Sequence, residues 1–160
     1  MNVGFGYDIH RLKKGKNLIL GGVKIENDKG LEGHSDADVV LHAIMDALLG
    51  ASCLGDIGQY FPENDSKFKG ISSMYLTERI IDLIDWQKYK INNVDLTIIL
   101  ERPKLYPYYP NMKKNIAQVL NINEGCINIK ATTNEGLGVI GKEEAIAVFC
   151  VISLEKNFLK

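Results

Sequence analysis

At 160 residues the chain is long enough to bury the core of one domain, and 46% hydrophobic with 24% charged residues is the composition of a globular protein. Nineteen basic against twenty acidic residues leave a net charge of −1, so no global field favours nucleic acid and an anionic ligand must be held by local devices. No apolar run approaches the ~20 residues of a membrane-spanning helix, no signal or transit segment is recognised, and the expected setting is the cytoplasm, with a mature organellar form left open.

In chain order, residues 2–7 alternate weakly and predict a strand. Residues 17–25 hold apolar runs around Gly21 and Gly22, a turn or bulge pattern. Residues 28–33 read as a glycine-flanked loop. Residues 37–49 predict a helix, with Ser35 or Asp36 at its start and Gly50 at its end; Asp38, His42 and Asp46 share one of its faces. Residues 55–69 read as a loop, 72–87 as a second helix with Leu76 and Ile80 on its apolar side, and 93–100 as a strand. Pro103, Pro107 and Pro110 mark a stiff loop before a helix over 111–120. Residues 126–131 predict a strand, 132–142 a Gly-rich connection, and 144–154 a long apolar strand. The sequence of elements, ββαα then βαβ, fits one α+β domain. Cys53, Cys126 and Cys150 are odd in number, lack CxxC spacing and sit among apolar neighbours, which predicts buried free thiols in a reducing compartment.

Four stretches carry candidate chemistry. In Gly6-Tyr7-Asp8-Ile9-His10-Arg11-Leu12, Asp8 and His10 are two apart and project to one side if the strand continues. With His42 from the following helix they would make three ligands and one open position, the pattern of a catalytic zinc site; the same residues read equally as a solvated carboxylate and two unrelated histidines. His34 and Ser35 precede a helix, where backbone amides suit a phosphate, although capping alone also accounts for Ser35 and Asp36. Residues 55–65 crowd carboxylates and glycines, as a surface turn does or as a grip on a polyol does. Residues 131–138 follow a strand with Thr132, Thr133, Asn134 and Glu135. Hydroxyls and a carboxylate there can hold phosphate oxygens and a divalent ion, or merely cap a helix; the P-loop pattern is absent.

Taken in order, GYDIHRL, HSDADVVLHAIMDALLGA, GDIGQYFPENDSKFKG, NVDLTIILERPKL and IKATTNEGLG resemble the 2-C-methyl-D-erythritol 2,4-cyclodiphosphate synthases over essentially the whole chain. The resemblance implies one domain over residues 1–160, a mixed sheet covered by helices on one face, and a homotrimer with active sites shared between subunits. It implies a phosphorus–oxygen lyase of the non-mevalonate isoprenoid pathway. The reaction converts 4-diphosphocytidyl-2-C-methyl-D-erythritol 2-phosphate to the cyclic diphosphate and CMP.

The same resemblance assigns residues. Asp8, His10 and His42 would hold zinc or another divalent transition metal, with Asp38 or Asp46 orienting His42, and Glu135 would help bind Mg²⁺ or Mn²⁺ with the substrate. His34 and Thr133 match the positions that stabilise the transition state. Asp8, His10, His34 and Ser35 would contact substrate, as would Asp56, Ile57, Gly58, Phe61, Pro62, Glu63, Asn64 and Asp65, which match the ribose and methylerythritol loop. Leu100, Glu101, Arg102, Pro103, Lys104, Leu105 and Tyr106 match a cytidine pocket, and Thr132, Thr133, Asn134 and Glu135 the phosphate side. Val139 and Lys142 depart from the Phe and Arg of some members near the trimer's central cavity, and Glu63 from the Asp of many. The competing enzyme reading is a zinc hydrolase or lyase that uses zinc-bound water. The competing non-enzyme reading is an isoprenoid-diphosphate-binding trimer with a structural metal.

Overall fold

In the computed structural model, which describes residues 1–62, 65–68 and 70–157, strand β1 runs Asn2–Lys14 and does not stop at Tyr7. Its far half pairs Arg11 to Lys14 with β4 (Lys29–Glu32), in the segment expected to be a loop. Charged Arg11, Lys13 and Lys14 hide this half of the strand from an apolar-pattern reading, yet only pairing is needed to extend it. Between them, β2 (Leu18–Leu20) and β3 (Val23–Ile25) form a hairpin turning at Gly21 and Gly22, as their glycines suggest.

Helix α1 (Val39–Ser52) starts two residues later than expected. Ala37 takes a left-handed φ of 59°, so the helix cannot include it, and Asp38 becomes the cap. The Asp38 carboxylate, fully buried, accepts the amides of Val40 (3.1 Å) and Leu41 (3.2 Å) and ties the β2–β3 turn through Gly21 (2.9 Å) and Gly22 (2.7 Å). α1 runs through Gly50 and ends where Cys53 adopts the left-handed conformation. It is buried nearly all round, as suits a helix in the centre of a core.

A short α2 (Ile57–Tyr60) forms within the expected loop, capped by Asp56. α3 (Ser73–Ile81) is shorter than the predicted 72–87 and is followed by turns that lead into β5 (Tyr89–Ile99). α4 (Tyr109–Leu120), β6 (Ile127–Thr132), the single-turn α5 (Gly138–Gly141) and β7 (Ala145–Lys156) complete the chain.

The five-stranded sheet has the order β4-β1-β7-β5-β6. β5 and β6 are parallel across the α4 crossover and every other pair is antiparallel, so the sheet is mixed as expected. α1 packs on β1 and β7, α4 packs on β6, and α3 bridges the two helices, all on one face. The contact of α1 with β1 is backbone to backbone. A Cβ on Gly4 would stand 1.8 Å from the Ala47 carbonyl oxygen, and one on Gly6 2.0 Å from that of Ala43. Only glycine permits this approach.

The opposite face departs from the expected arrangement at one end. There α5 sets Ile140 against Ala145, Ala147 and Ile99. Elsewhere Val3, Phe5, Tyr7 and Ile9, which alternate with the glycines, stand exposed, Phe5 by 62%. Phe149 stacks between Phe5 and Tyr7, with ring centroids 5.8 and 5.0 Å away. The cysteines also differ from expectation. All three are free thiols, but only Cys150 is buried, while Cys53 is exposed at the end of α1 and Cys126 is half-buried.

Candidate active site

The alternation that turns Gly4 and Gly6 toward α1 turns Asp8 and His10 the same way. The first turns of α1 bring His42 down onto them. Asp8 Oδ2 lies 2.9 Å from His42 Nδ1 and 3.1 Å from His10 Nδ1, and the two imidazole centroids are 5.0 Å apart. One ligand atom from each residue falls within 4.8 Å of the others. A carboxylate and two imidazoles converging at this spacing are a donor set suited to a divalent transition metal. Burial alone would raise the Asp8 pKa, but hydrogen bonds from His10 and His42 and their charge hold it far below the ordinary carboxylate range.

Neither Asp38 nor Asp46 orients His42, contrary to expectation. Asp38 is consumed by the cap, and Asp46 accepts the Ile57 amide at 2.9 Å, anchoring α2. The far nitrogen of His42, Nε2, instead meets the hydroxyls of Ser73 (3.1 Å) and Ser35 (3.2 Å). Ser73 in turn donates to Asp36 at 2.5 Å. Ser73 was missed in the sequence because it sits at the start of α3, where a serine reads as a cap; Ser72 fills that role, accepting the Met74 amide at 3.2 Å.

These residues open into a cavity of about 370 Å³ whose walls include His34, Ser35, Ile57, Gly58 and Phe61, together with Arg11, Glu32 and Phe68. His34 holds the opposite loop, with Nε2 3.3 Å from the Asp65 carbonyl and its own carbonyl accepting the Gly70 amide at 2.8 Å. Asp65 pairs with Lys67 at 2.8 Å, and Asp56 accepts the Gln59 side chain at 3.0 Å. Asp56, Pro62 and Asp65 do not line this cavity. Glu63 and Asn64 lie outside the described residues.

A second cavity, about 210 Å³, is walled by Leu100, Glu101, Pro103, Lys104, Leu105, Tyr106, Thr132 and Thr133, with Tyr109 and Ala131. Glu101 Oε1 accepts the Asn134 amide (2.8 Å) and the Gly136 amide (3.4 Å), which fixes the turn after β6. In that turn Glu135 takes φ 51° and its carboxylate accepts the Thr133 hydroxyl at 3.0 Å. Arg102 points away, paired with Glu143 at 2.7 Å. Val139 is exposed on α5 and Lys142 caps it.

Strand register relates the two cavities. His10 pairs with Ile146, Ala147 with Ile99, and Ile99 with Thr132. Both clusters therefore lie at one end of the sheet, with β7 and β5 between them. Three strand spacings separate them by about 14 Å. Within one chain the described residues form two separate clusters.

A model of the YgbB family matches residues 1–155. The chain is 54% identical over 156 residues to the 2-C-methyl-D-erythritol 2,4-cyclodiphosphate synthase of Clostridium perfringens, covering 98% of this chain and 100% of that one. Among solved structures it resembles the bifunctional IspDF from Campylobacter jejuni, with a TM-score of 0.92 and 41% identity, over 98% of this chain and 42% of that one. It also resembles IspF of Plasmodium falciparum in a CDP complex, with a TM-score of 0.85 and 42% identity, over 98% and 96% of the two chains.

Proposed function

The chain belongs to the YgbB family, and from that premise we propose that it is a 2-C-methyl-D-erythritol 2,4-cyclodiphosphate synthase of the non-mevalonate isoprenoid pathway, taking 4-diphosphocytidyl-2-C-methyl-D-erythritol 2-phosphate to the cyclic diphosphate and CMP. The observation that carries this reading is the meeting of Asp8, His10 and His42 within 4.8 Å beside a cavity large enough for a sugar phosphate. The reaction is that of a phosphorus–oxygen lyase. An oxygen of the substrate's 2-phosphate bonds to the β-phosphorus, the bond from that phosphorus to the bridging oxygen breaks, and CMP departs with that oxygen. No protein nucleophile is required, so the protein's task is to fold the substrate back on itself and neutralise charge.

Asp8, His10 and His42 would hold zinc, and Glu135 with its Thr133 neighbour would help hold Mg²⁺ or Mn²⁺. These ions would supply Lewis-acid charge and a template for phosphate oxygens. His34 and Ser35 stand in the cavity wall as donors to the erythritol phosphate. Ile57, Gly58 and Phe61 shape the sugar side, joined in this reading by Asp56, Pro62, Glu63, Asn64 and Asp65. The Leu100 to Tyr106 cavity would take the cytosine, with Thr132 and Thr133 at the diphosphate; the CDP complex of the Plasmodium relative supports a cytidine nucleotide as a ligand of the protein.

The half-sites would be completed in a homotrimer, with the cytidine cavity of one subunit set against the metal cavity of the next. The exposed Val3, Phe5, Tyr7 and Ile9 face supports an assembly, because an apolar sheet face of this kind is normally covered. Val139 and Lys142 would reach the central cavity, where Lys grips a diphosphate less selectively than Arg. The described helices include none long and apolar enough to cross a membrane, and a cytoplasmic setting is part of this proposal.

The test is incubation of the purified protein with the CDP-linked substrate, with and without chelator. CMP and the cyclic diphosphate should form in equal amounts, and chelation should stop both. Release of inorganic phosphate would favour a hydrolase built on zinc-bound water. Binding without turnover would favour a ligand-binding trimer.

A further inference from the structure

We propose that Glu101 is a positioning residue that locks the phosphate turn to the base pocket and so sets a preference for a nucleoside diphosphate over the nucleoside; this rests on the nucleotide reading of the 210 Å³ cavity. β5 and β6 are parallel, so the loops that follow them leave the sheet at the same end. The first loop carries Pro103, Lys104, Leu105 and Tyr106 of the base side, and the second carries Thr133 and Glu135 of the phosphate side. The strand ladder ends with the Leu100 amide, which donates to the Thr132 carbonyl at 3.0 Å. Beyond it, among the described residues, the hydrogen bonds that cross from one loop to the other both come to Glu101.

The half-buried Glu101 accepts the Asn134 amide at 2.8 Å and the Gly136 amide at 3.4 Å, both on Oε1. Between those residues Glu135 stands at φ 51°, and its carboxylate accepts from Thr133 Oγ1 at 3.0 Å. The Glu135 amide donates back to Thr133 Oγ1 at 3.4 Å. One oxygen of Glu101 therefore holds the residues on either side of Glu135, and with them the direction in which Thr133 and Glu135 face. The rest of the turn ties to itself. Asn134 Nδ2 donates to the Leu137 carbonyl at 2.7 Å, and the Asn134 carbonyl accepts the Leu137 amide at 2.9 Å. A carboxylate repels phosphate oxygens, so Glu101 serves a diphosphate through the backbone it holds. The rival role is a direct contact with the amine of the cytosine, which the variants separate.

Glu101→Gln keeps an oxygen for the two amides, which are fixed donors, and places its NH₂ group where Oε2 stood. It cannot accept from a cytosine amine there. Glu101→Ala frees both amides. Glu135 and Gly136 are exposed, so water can take up the lost bonds and the fold should survive. The freed turn must then be ordered by the ligand on binding. That cost falls on a ligand that reaches the turn and not on one that ends at the ribose. Both variants remove the charge, so comparing them isolates position.

Calorimetry with CDP and saturating Mg²⁺, and NMR titration with cytidine, test this on the intact wild type and both variants. Glu101→Ala should bind CDP about 10-fold more weakly than Glu101→Gln, the order that one or two net hydrogen bonds carry, while all three proteins bind cytidine alike. ¹H–¹⁵N spectra of the ligand-free protein should show the Asn134 amide protected from solvent exchange in the wild type and in Glu101→Gln, and open to it in Glu101→Ala. Weakened cytidine binding in Glu101→Gln would make Glu101 a contact of the base and overturn the proposal. Equal CDP affinity in the two variants would overturn it, and so would an equal loss of CDP and cytidine in Glu101→Ala. An unprotected Asn134 amide in the wild type would do the same, and that result needs no variant to fold. A wild type that binds neither CDP nor cytidine would overturn the nucleotide reading, and this proposal with it.

Discussion

Asp8 Oδ2 stands 2.9 Å from His42 Nδ1, although the two residues are 34 positions apart and belong to different elements. The contact exists because Gly4 and Gly6 let α1 lie directly on β1. The convergence of Asp8, His10 and His42 is thus a consequence of how closely a helix can approach a strand. His42→Ala should lose zinc while the fold survives, because it removes one of three ligands and leaves the α1 backbone in place. The loss in affinity should exceed the roughly 10- to 100-fold typical of residues that only support a ligand. Full zinc occupancy in that variant, by metal analysis, would sink the three-ligand arrangement.

Gly6→Ala tests the support beneath that site. The new Cβ would fall 2.0 Å from the Ala43 carbonyl oxygen, and a helix backbone cannot yield as a side chain does. The helix must lift from the strand, at a cost of about 3 kcal/mol or more. Urea denaturation should show the loss, and zinc affinity should fall with it as His42 is carried away from Asp8. A variant as stable as the wild type would refute this account of the helix–strand contact.

The convergence of Asp8, His10 and His42 was legible in the sequence because they follow simple periods, two residues along a strand and one exit from the next helix. Ser73 was not, since nothing local distinguishes a serine that meets a buried histidine from one that begins a helix. The limits of β1 and β4 were hidden for a related reason. Pairing of Arg11 with Glu32 and Leu12 with Leu31 is a fact about two segments, and neither shows an apolar run alone. The set of Glu101 against the Asn134 and Gly136 amides likewise arises only once β5 and β6 lie side by side, and the short α5 rests on β7 and on Ile99 of β5. Ala37 moved the helix start because its left-handed backbone is imposed by the links around it, including Asp36 to Ile71, and not by its own preference.

Asp46 predicts a pH dependence in the metal-free protein. Burial raises its pKa, outweighing the Ile57 amide that it accepts, and the charges of Asp56 and Asp8 push the same way. The folded state therefore holds this proton more tightly than the unfolded chain. Stability is lost as pH rises from about 4, the ordinary aspartate value, through the raised folded value. Asp46→Asn keeps an oxygen for Ile57 and removes the charge. Its stability relative to wild type should be greater at pH 7 than at pH 4, measured by denaturant melts at both. An identical difference at the two pH values would refute the assignment.

Glu135→Gln should keep zinc, since Glu135 belongs to the other half-site, but should slow turnover and weaken the response to Mg²⁺. The change preserves size while removing the charge a hard cation prefers. The amide can still accept from the Thr133 hydroxyl, so the turn itself should hold. Kinetic titration with Mg²⁺ and Mn²⁺ is the direct measurement, and an unchanged midpoint would remove Glu135 from the second metal.

Assembly joins these separate results. In the proposed arrangement metal binding needs only Asp8, His10 and His42 of one chain, whereas turnover needs the cytidine cavity of a neighbour. The two properties should therefore separate when the open sheet face is disrupted. Light scattering should give three times the 17.9 kDa chain mass for the wild type, because a site made by two copies requires closed cyclic symmetry. Phe5→Glu places a charge on the exposed face, opposite the side that holds the ligands. It should yield monomers that still bind one zinc each but release no CMP. Mixing two impaired trimers, one carrying His42→Ala and the other Glu135→Gln, should raise activity above the sum of the two after subunit exchange, since some sites would then draw both good halves. A wild-type monomer with full activity would end the shared-site picture, and it would require the roughly 14 Å between the two clusters to be bridged by substrate within one chain.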